Sequence, residues 1–217
     1  GLINPIGIEA EVPNLFWNCQ GGQKQTAYQI YAADDSGNLL WDSGKVKSDA
    51  MRSHWGGSPV PQKTKVIWKV RLWDENDAVG EWMGAFFETG IEDWSASWIT
   101  GNYKVNKKER YSVDCFSKCF HAADIKKARL YITACGLYEA KINGQCASDF
   151  VRAPGITDYR KRVQYQTYDV TNLLKNGKNE LTVQLADGWY RGSCGAWGVK
   201  NQYGTETKLL AQMELTQ

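Results

Sequence analysis

No stretch of this chain holds a helical hydrophobic period for longer than a turn. Its apolar residues alternate instead over short runs bounded by Gly, Asp and Asn clusters, which restricts the fold to antiparallel β layers. Val66-Ile67-Trp68-Lys69-Val70-Arg71-Leu72-Trp73 shows the pattern most clearly. Val66, Trp68, Val70 and Leu72 share the face that suits a core, while Lys69 and Arg71 take the other. Further strands are expected over 15–19, 27–33, 39–41, 51–55 and 83–88. Of the 10 tryptophans, all but Trp189 and Trp197 precede residue 99. Trp17 and Trp68 are expected to meet in the core of a first sandwich.

In the second half, candidate strands cover 111–120, 128–134, 138–142, 163–170, 180–185 and 208–215. Asn143-Gly144 marks a two-residue hairpin, since both residues tolerate positive φ. The Thr171 hydroxyl is expected to cap a short helical turn, with Asn176-Gly177 supplying the positive φ that ends it. The whole reads as all-β: two antiparallel β-sandwiches in tandem, residues 1–90 and then a jelly roll over 109–217, its C-terminal end expected to be truncated. A connector, 91–108, carries Trp94 and Trp98, which are expected to dock against one or both domains, because a free polar linker has no use for two indoles.

The 217 residues suffice for two cores, and the formal charge of +2 comes from mixed rather than clustered signs. No basic stripe suggests nucleic acid, and no apolar run approaches the roughly eighteen residues of a membrane span. No leader pattern is visible, although a start at Gly1 without Met is compatible with a removed upstream segment. Six cysteines at 19, 115, 119, 135, 146 and 194 lack the close paired spacing of zinc or redox sites. Cys115 and Cys119 lie roughly 13 Å apart on one expected strand, too far to bridge. Cys135 and Cys146 flank a hairpin, where a bridge is left open; free thiols in a reducing, cytoplasmic compartment are the expectation. His54 and His121 are too isolated for zinc and are expected on strand surfaces.

Asp187-Gly188-Trp189-Tyr190-Arg191-Gly192 sets two aromatics and a guanidinium between glycines, in an expected loop at the end of the second sandwich. A pyranose has an apolar C–H face and a rim of hydroxyls, so it calls for an exposed aromatic plane flanked by donors and acceptors. Trp189, Tyr190 and Trp197 are the candidate planes, with Asp187, Arg191 and Asn201 as polar partners; Asp158, Tyr159 and Arg160 form a second polar cluster.

Residues 1 to about 90 resemble a fibronectin type III-like module in AYQIYA, LLWDSGKV, WKVRLWDENDAVGEW and FFETG. Over the whole chain, WDSGKV, ARLYITACGLYEAKINGQ, APGITDYRKRVQYQTYDVTNLL, GWYRG and YGTETKLLAQMEL follow in the order found in the N-terminal region of bacterial α-L-rhamnosidases. That resemblance implies an immunoglobulin/fibronectin III-like domain followed by a galactose-binding-like jelly roll. It also implies a parent enzyme that hydrolyses terminal α-L-rhamnose with inversion in a downstream (α/α)6 barrel. The partners it implies are a rhamnose-containing carbohydrate and that barrel; nucleic acid and membrane are not among them. The family commonly has an aromatic where Ile156 stands, and small flexible residues around Cys194.

Inverting hydrolysis needs two carboxyl groups roughly 6.5 to 9.5 Å apart. Asp149, Asp158, Asp169 and Asp187 are available but sit beside turns or strand ends, where Asp commonly bonds its own backbone, so no catalytic residue is assigned to this chain. No metal ligand set and no cofactor are assigned; calcium, held by some modules of the family, is left open, with no carboxylate-dense loop pointing to it. Recognition of rhamnosylated carbohydrate is the leading function, where the sugar's methyl group adds about 0.8 kcal/mol per buried carbon. A purely structural brace for the barrel, without sugar affinity, is the alternative.

Overall fold

The computed structural model describes residues 2–9, 12–21, 24–106, 108–195 and 197–217. The chain divides into two compact units, Gly1–Glu92 and Asp93–Gln217. Both are built from strands, so the all-β expectation of two antiparallel β-sandwiches holds.

The first unit contains β1 (Ile6–Ile8), β2 (Asn14–Phe16), β3 (Ala27–Asp34), β4 (Leu39–Asp42), β5 (Val46–Lys47), β6 (Arg52–His54), β7 (Lys65–Trp73) and β8 (Met83–Thr89). One sheet runs β1-β8-β7-β3-β4 with β5 also on β3, and β2 pairs β6 opposite it. Alternation along β7 works as the sequence requires: Val66, Trp68 and Val70 are buried, and Ile67 is exposed. Trp55 is buried between Trp41 and Phe87, with ring centroids at 5.3 and 5.7 Å. Trp17 packs against the same core, which includes Trp68; its ring lies 4.9 Å from that of Tyr28, and its Nε1 donates to Gln25 Oε1 at 3.0 Å. An indole with a polar edge needs an acceptor when half-buried, and Gln25 lies within reach of it.

The second unit contains β9 (Asp114–Ala122), β10 (Lys127–Cys135), β11 (Leu137–Ile142), β12 (Gln145–Cys146), β13 (Gln166–Asp169), β14 (Gly177–Ala186) and β15 (Lys208–Thr216). Its sheets run β12-β11-β14-β9 and β13-β10-β15. Leu130, Ile132 and Ala134 of β10 face Tyr138, Ala140, Ile142, Val183 and Leu185 in one apolar cluster. The opposite face of β10 is covered as well. Trp94 packs edge-on to Tyr131 and Tyr165, with centroids at 6.5 and 5.5 Å, and the Gln212 side chain accepts from the Ser95 and Ala96 amides. Trp98, expected to dock as well, is 43% exposed.

Asn143 and Gly144 turn the β11–β12 hairpin with φ of 52° and 83°, as their residue types demand. The turn after β13 is a 3-10 turn, Thr171–Leu173, and the expected Thr171 cap is not made. That hydroxyl donates to Asp169 Oδ1 at 2.6 Å and accepts from the Ala128 amide at 2.9 Å, tying the turn to the start of β10. All six cysteines are free; Cys135 is buried and Cys146 exposed, so the bridge left open between them is not formed.

Candidate functional site

The site grows out of the end of β14. Asp187 begins not the expected loop but one helical turn, α1 (Gly188–Arg191), closed by the Arg191 amide on the Asp187 carbonyl at 3.1 Å. Only glycine fits at 188: its φ is 52°, and a Cβ there meets Leu137 Cγ at 2.7 Å. Helical winding brings Asp187 and Arg191 onto one face, four residues apart. An exposed loop would have offered Arg191 to solvent; the turn buries it.

Arg191 is 5% exposed. Its Nε donates to Asp187 Oδ1 at 2.7 Å and its Nη1 to the Tyr103 hydroxyl at 3.0 Å, while the guanidinium lies 4.8 Å from the Tyr111 ring centroid. Tyr103 and Tyr111 are stacked, and the Tyr103 hydroxyl donates to Asp114 Oδ2 at 3.1 Å, which also accepts from Thr207. Burial works to lower the Arg191 pKa, but the Tyr103 and Asp187 hydrogen bonds outweigh it, so the guanidinium stays charged.

Around this anchor lies a cavity of about 310 Å³. Asp187, Arg191 and Asn201 line it together with Asn106, Glu109, Arg110 and Lys200. Asn201 is fixed there by its amide, which donates to the Arg191 carbonyl at 3.1 Å. The volume sits at the small end of ligand sites, the size for one sugar ring or less.

The other expected residues lie elsewhere. Tyr190, next in sequence to Arg191, points into a tyrosine cluster with Tyr159 at 5.2 Å and Tyr203 at 6.4 Å. Burial, then Cys135, Tyr203 and Cys194 nearby, pushes the Tyr159 phenol up to about 12, and burial also raises Tyr190 and Cys135. Asp158 accepts from Arg160 Nε at 3.0 Å, beside the same cluster. Trp189 is half-buried. Trp197 is 93% exposed, in a short hairpin closed by the Cys194 and Val199 amides and carbonyls, immediately before Lys200.

Two of the candidate carboxylates, Asp158 and Asp169, are shifted away from what acid catalysis needs. Asp158 is held below the usual range by the Arg160 hydrogen bond. Burial works to raise Asp169, but the Thr171 hydroxyl and amide, with Arg129, outweigh it and hold it low. A general acid needs the opposite shift. Among the described residues no group of three or more His, Cys, Asp or Glu side chains is placed to hold a metal.

Tyr103, Asn106, Glu109, Arg110 and Tyr111 were not anticipated as site residues. Their signal is faint: a polar run, KVNKKER, bracketed by two tyrosines where no strand alternates. The first unit has a larger cavity, about 1020 Å³, lined by Trp17, Trp68 and Phe87 among others, and none of the expected site residues reaches it.

The family model described as Alpha-L-rhamnosidase N-terminal domain matches residues 123–217, and that of the Rha78A-like, N-terminal immunoglobulin domain matches residues 1–93. An alpha-L-rhamnosidase of Formosa agariphila is 35% identical over 100% of this chain, which covers 26% of that protein. The structure of native alfa-L-rhamnosidase from Aspergillus terreus has a TM-score of 0.88 at 31% identity, over 97% of this chain and 26% of that one. The alpha-L-rhamnosidase from Dictyoglumus thermophilum has a TM-score of 0.85 at 33% identity, over 98% and 26% respectively.

Proposed function

Because this chain belongs to the α-L-rhamnosidase family, as an immunoglobulin-like domain followed by the rhamnosidase N-terminal domain, we propose that it is the carbohydrate-recognising accessory region of a longer glycoside hydrolase. That longer protein would remove terminal α-L-rhamnose by inverting hydrolysis in an (α/α)6 catalytic domain, and this region would hold the rhamnosylated carbohydrate for it. The observation that carries the reading is the cavity of about 310 Å³ that gathers Asp187, Arg191 and Asn201. Trp197, exposed beside Lys200 and Asn201, supplies an apolar plane for a C–H face or methyl group.

Titration of the chain with methyl α-L-rhamnoside, followed by tryptophan fluorescence, tests this. A saturable change that Trp197→Ala abolishes and Asn201→Ala weakens is expected; the absence of any saturable change overturns it. The brace alternative draws on the same exposed Trp197, which a catalytic domain would cover equally well. It expects no sugar affinity and a Trp197→Ala variant destabilised only in the longer protein.

A further inference from the structure

The cavity beside α1 is unbalanced in both charge and hydrogen-bonding capacity. Its lining includes three cations, Arg110, Arg191 and Lys200, against two carboxylates, Glu109 and Asp187. Both carboxylates are engaged: Asp187 accepts from Arg191 Nε at 2.7 Å, and Glu109 accepts from Asn106 Nδ2 at 2.7 Å. Arg110 and Lys200 have no carboxylate partner among the described residues. Arg191, 5% exposed, has hydrogen bonds from Nε and Nη1 only, so its Nη2 group brings two N–H donors to the wall without an acceptor among the described residues. A buried guanidinium already oriented by Asp187, Tyr103 and the Tyr111 ring loses little freedom on binding, which favours recognition of a planar or tetrahedral oxyanion. A neutral sugar hydroxyl would leave the surplus positive charge uncompensated.

We propose that this cavity takes the anionic substituent, a carboxylate or a sulfate ester, of an acidic saccharide, with Arg191 as the buried anchor and Arg110 and Lys200 as rim cations. The proposal rests on the reading of the cavity as a carbohydrate site and names the class of carbohydrate.

The test is calorimetric titration of the chain with methyl α-L-rhamnoside, methyl β-D-glucuronoside and methyl β-D-glucoside 6-sulfate. At least one anionic glycoside should bind more tightly than the neutral one. Lys200→Gln and Arg110→Gln should each weaken that binding about fivefold, the scale of one charge-assisted contact, without moving the urea midpoint. Raising the ionic strength tenfold should weaken it further. Which anion binds tells carboxylate from sulfate. Binding of the rhamnoside alone, or anionic binding that both variants leave unchanged, overturns the proposal and leaves the accessory function standing. Anionic binding without rhamnoside binding supports the proposal and sinks the rhamnose reading, and no binding of any probe sinks both.

Discussion

Two buried polar side chains of the second unit, Asn179 and Arg191, separate structure from function. Asn179 is 1% exposed, and every valence of its amide is filled: Oδ1 accepts from Asn143 Nδ2 at 2.8 Å and the Lys175 amide at 3.0 Å, while Nδ2 donates to the Lys175 and Gly177 carbonyls at 2.7 and 3.0 Å. Arg191 is 5% exposed but reaches acceptors only through Nε and Nη1, and a cavity opens beside it. A side chain with no bonding capacity left can only hold its surroundings together. One with donors to spare against an open cavity is available to a ligand. Asn179 lies in the NGKNEL stretch that opens β14, and its hydrogen bonds close a corner there.

The largest effect expected from this contrast is on Asn179. Asn179→Leu strands two donors and two acceptors in the interior and should destabilise the second unit by about 3–5 kcal/mol. Equilibrium urea unfolding measures it; a loss below about 1 kcal/mol would mean that water replaces the amide and the corner is not closed. Next comes Gly188, which sets the turn that buries Arg191. Gly188→Ala places a methyl 2.7 Å from Leu137 Cγ at φ 52° and should cost about 2–3 kcal/mol together with the ligand response. Gly144→Ala, at φ 83° with nothing within 4 Å of the new methyl, should cost about 1 kcal/mol and leave ligand binding intact. Equal losses in the two variants would remove the case for a close approach at Gly188.

The corner was legible in the sequence and the site only half so. Asn143-Gly144 and Asn176-Gly177 state their backbone angles through residue type, and the alternation of β7 and β14 states their faces. Short-range rules suffice there. The Asp187–Arg191 pair is expected in an exposed loop and lies instead in a turn that buries Arg191, because a four-residue helical turn carries no periodicity to read. Tyr103 and Tyr111 reach Arg191 from about eighty residues away in sequence, across a run with no strand pattern, and no local signal reports such a contact. Thr171 departs from expectation for a related reason: the Ala128 amide, 43 residues earlier in the chain, takes the hydroxyl oxygen that a cap would have used.

The tyrosine cluster lies between the two extremes, half-buried and partly bonded. Tyr159 donates to the Gly155 carbonyl at 3.1 Å, and its pKa moves from the ordinary 10.0 to about 12. For an acid raised in the folded state, the unfolded chain loses its proton first. The stabilisation is therefore complete below the ordinary tyrosine value and declines as pH climbs from 10.0 towards about 12. Tyr159→Phe has no proton to lose there, so its urea midpoint should fall less steeply with pH over that window. Parallel curves for the two proteins would show that the phenol titrates as if in water.

Thr167 gives the smallest effect and the strictest test of the contrast. Its Oγ1 is buried without a hydrogen-bond partner among the described residues, yet it lines no cavity at the site. If spare bonding capacity mattered by itself, Thr167 would be functional too. The argument requires an open cavity beside the unfilled group, and Thr167 on β13 has the opposite surroundings, facing its neighbour Tyr131 across the β10–β13 ladder. Thr167→Val keeps the shape and removes the stranded hydroxyl, so it should stabilise the second unit by about 0.5–1 kcal/mol and leave glycoside binding unchanged. A destabilised Thr167→Val would instead reveal a bonded water on that hydroxyl, and a binding defect would show that unfilled capacity acts on the ligand from outside the cavity.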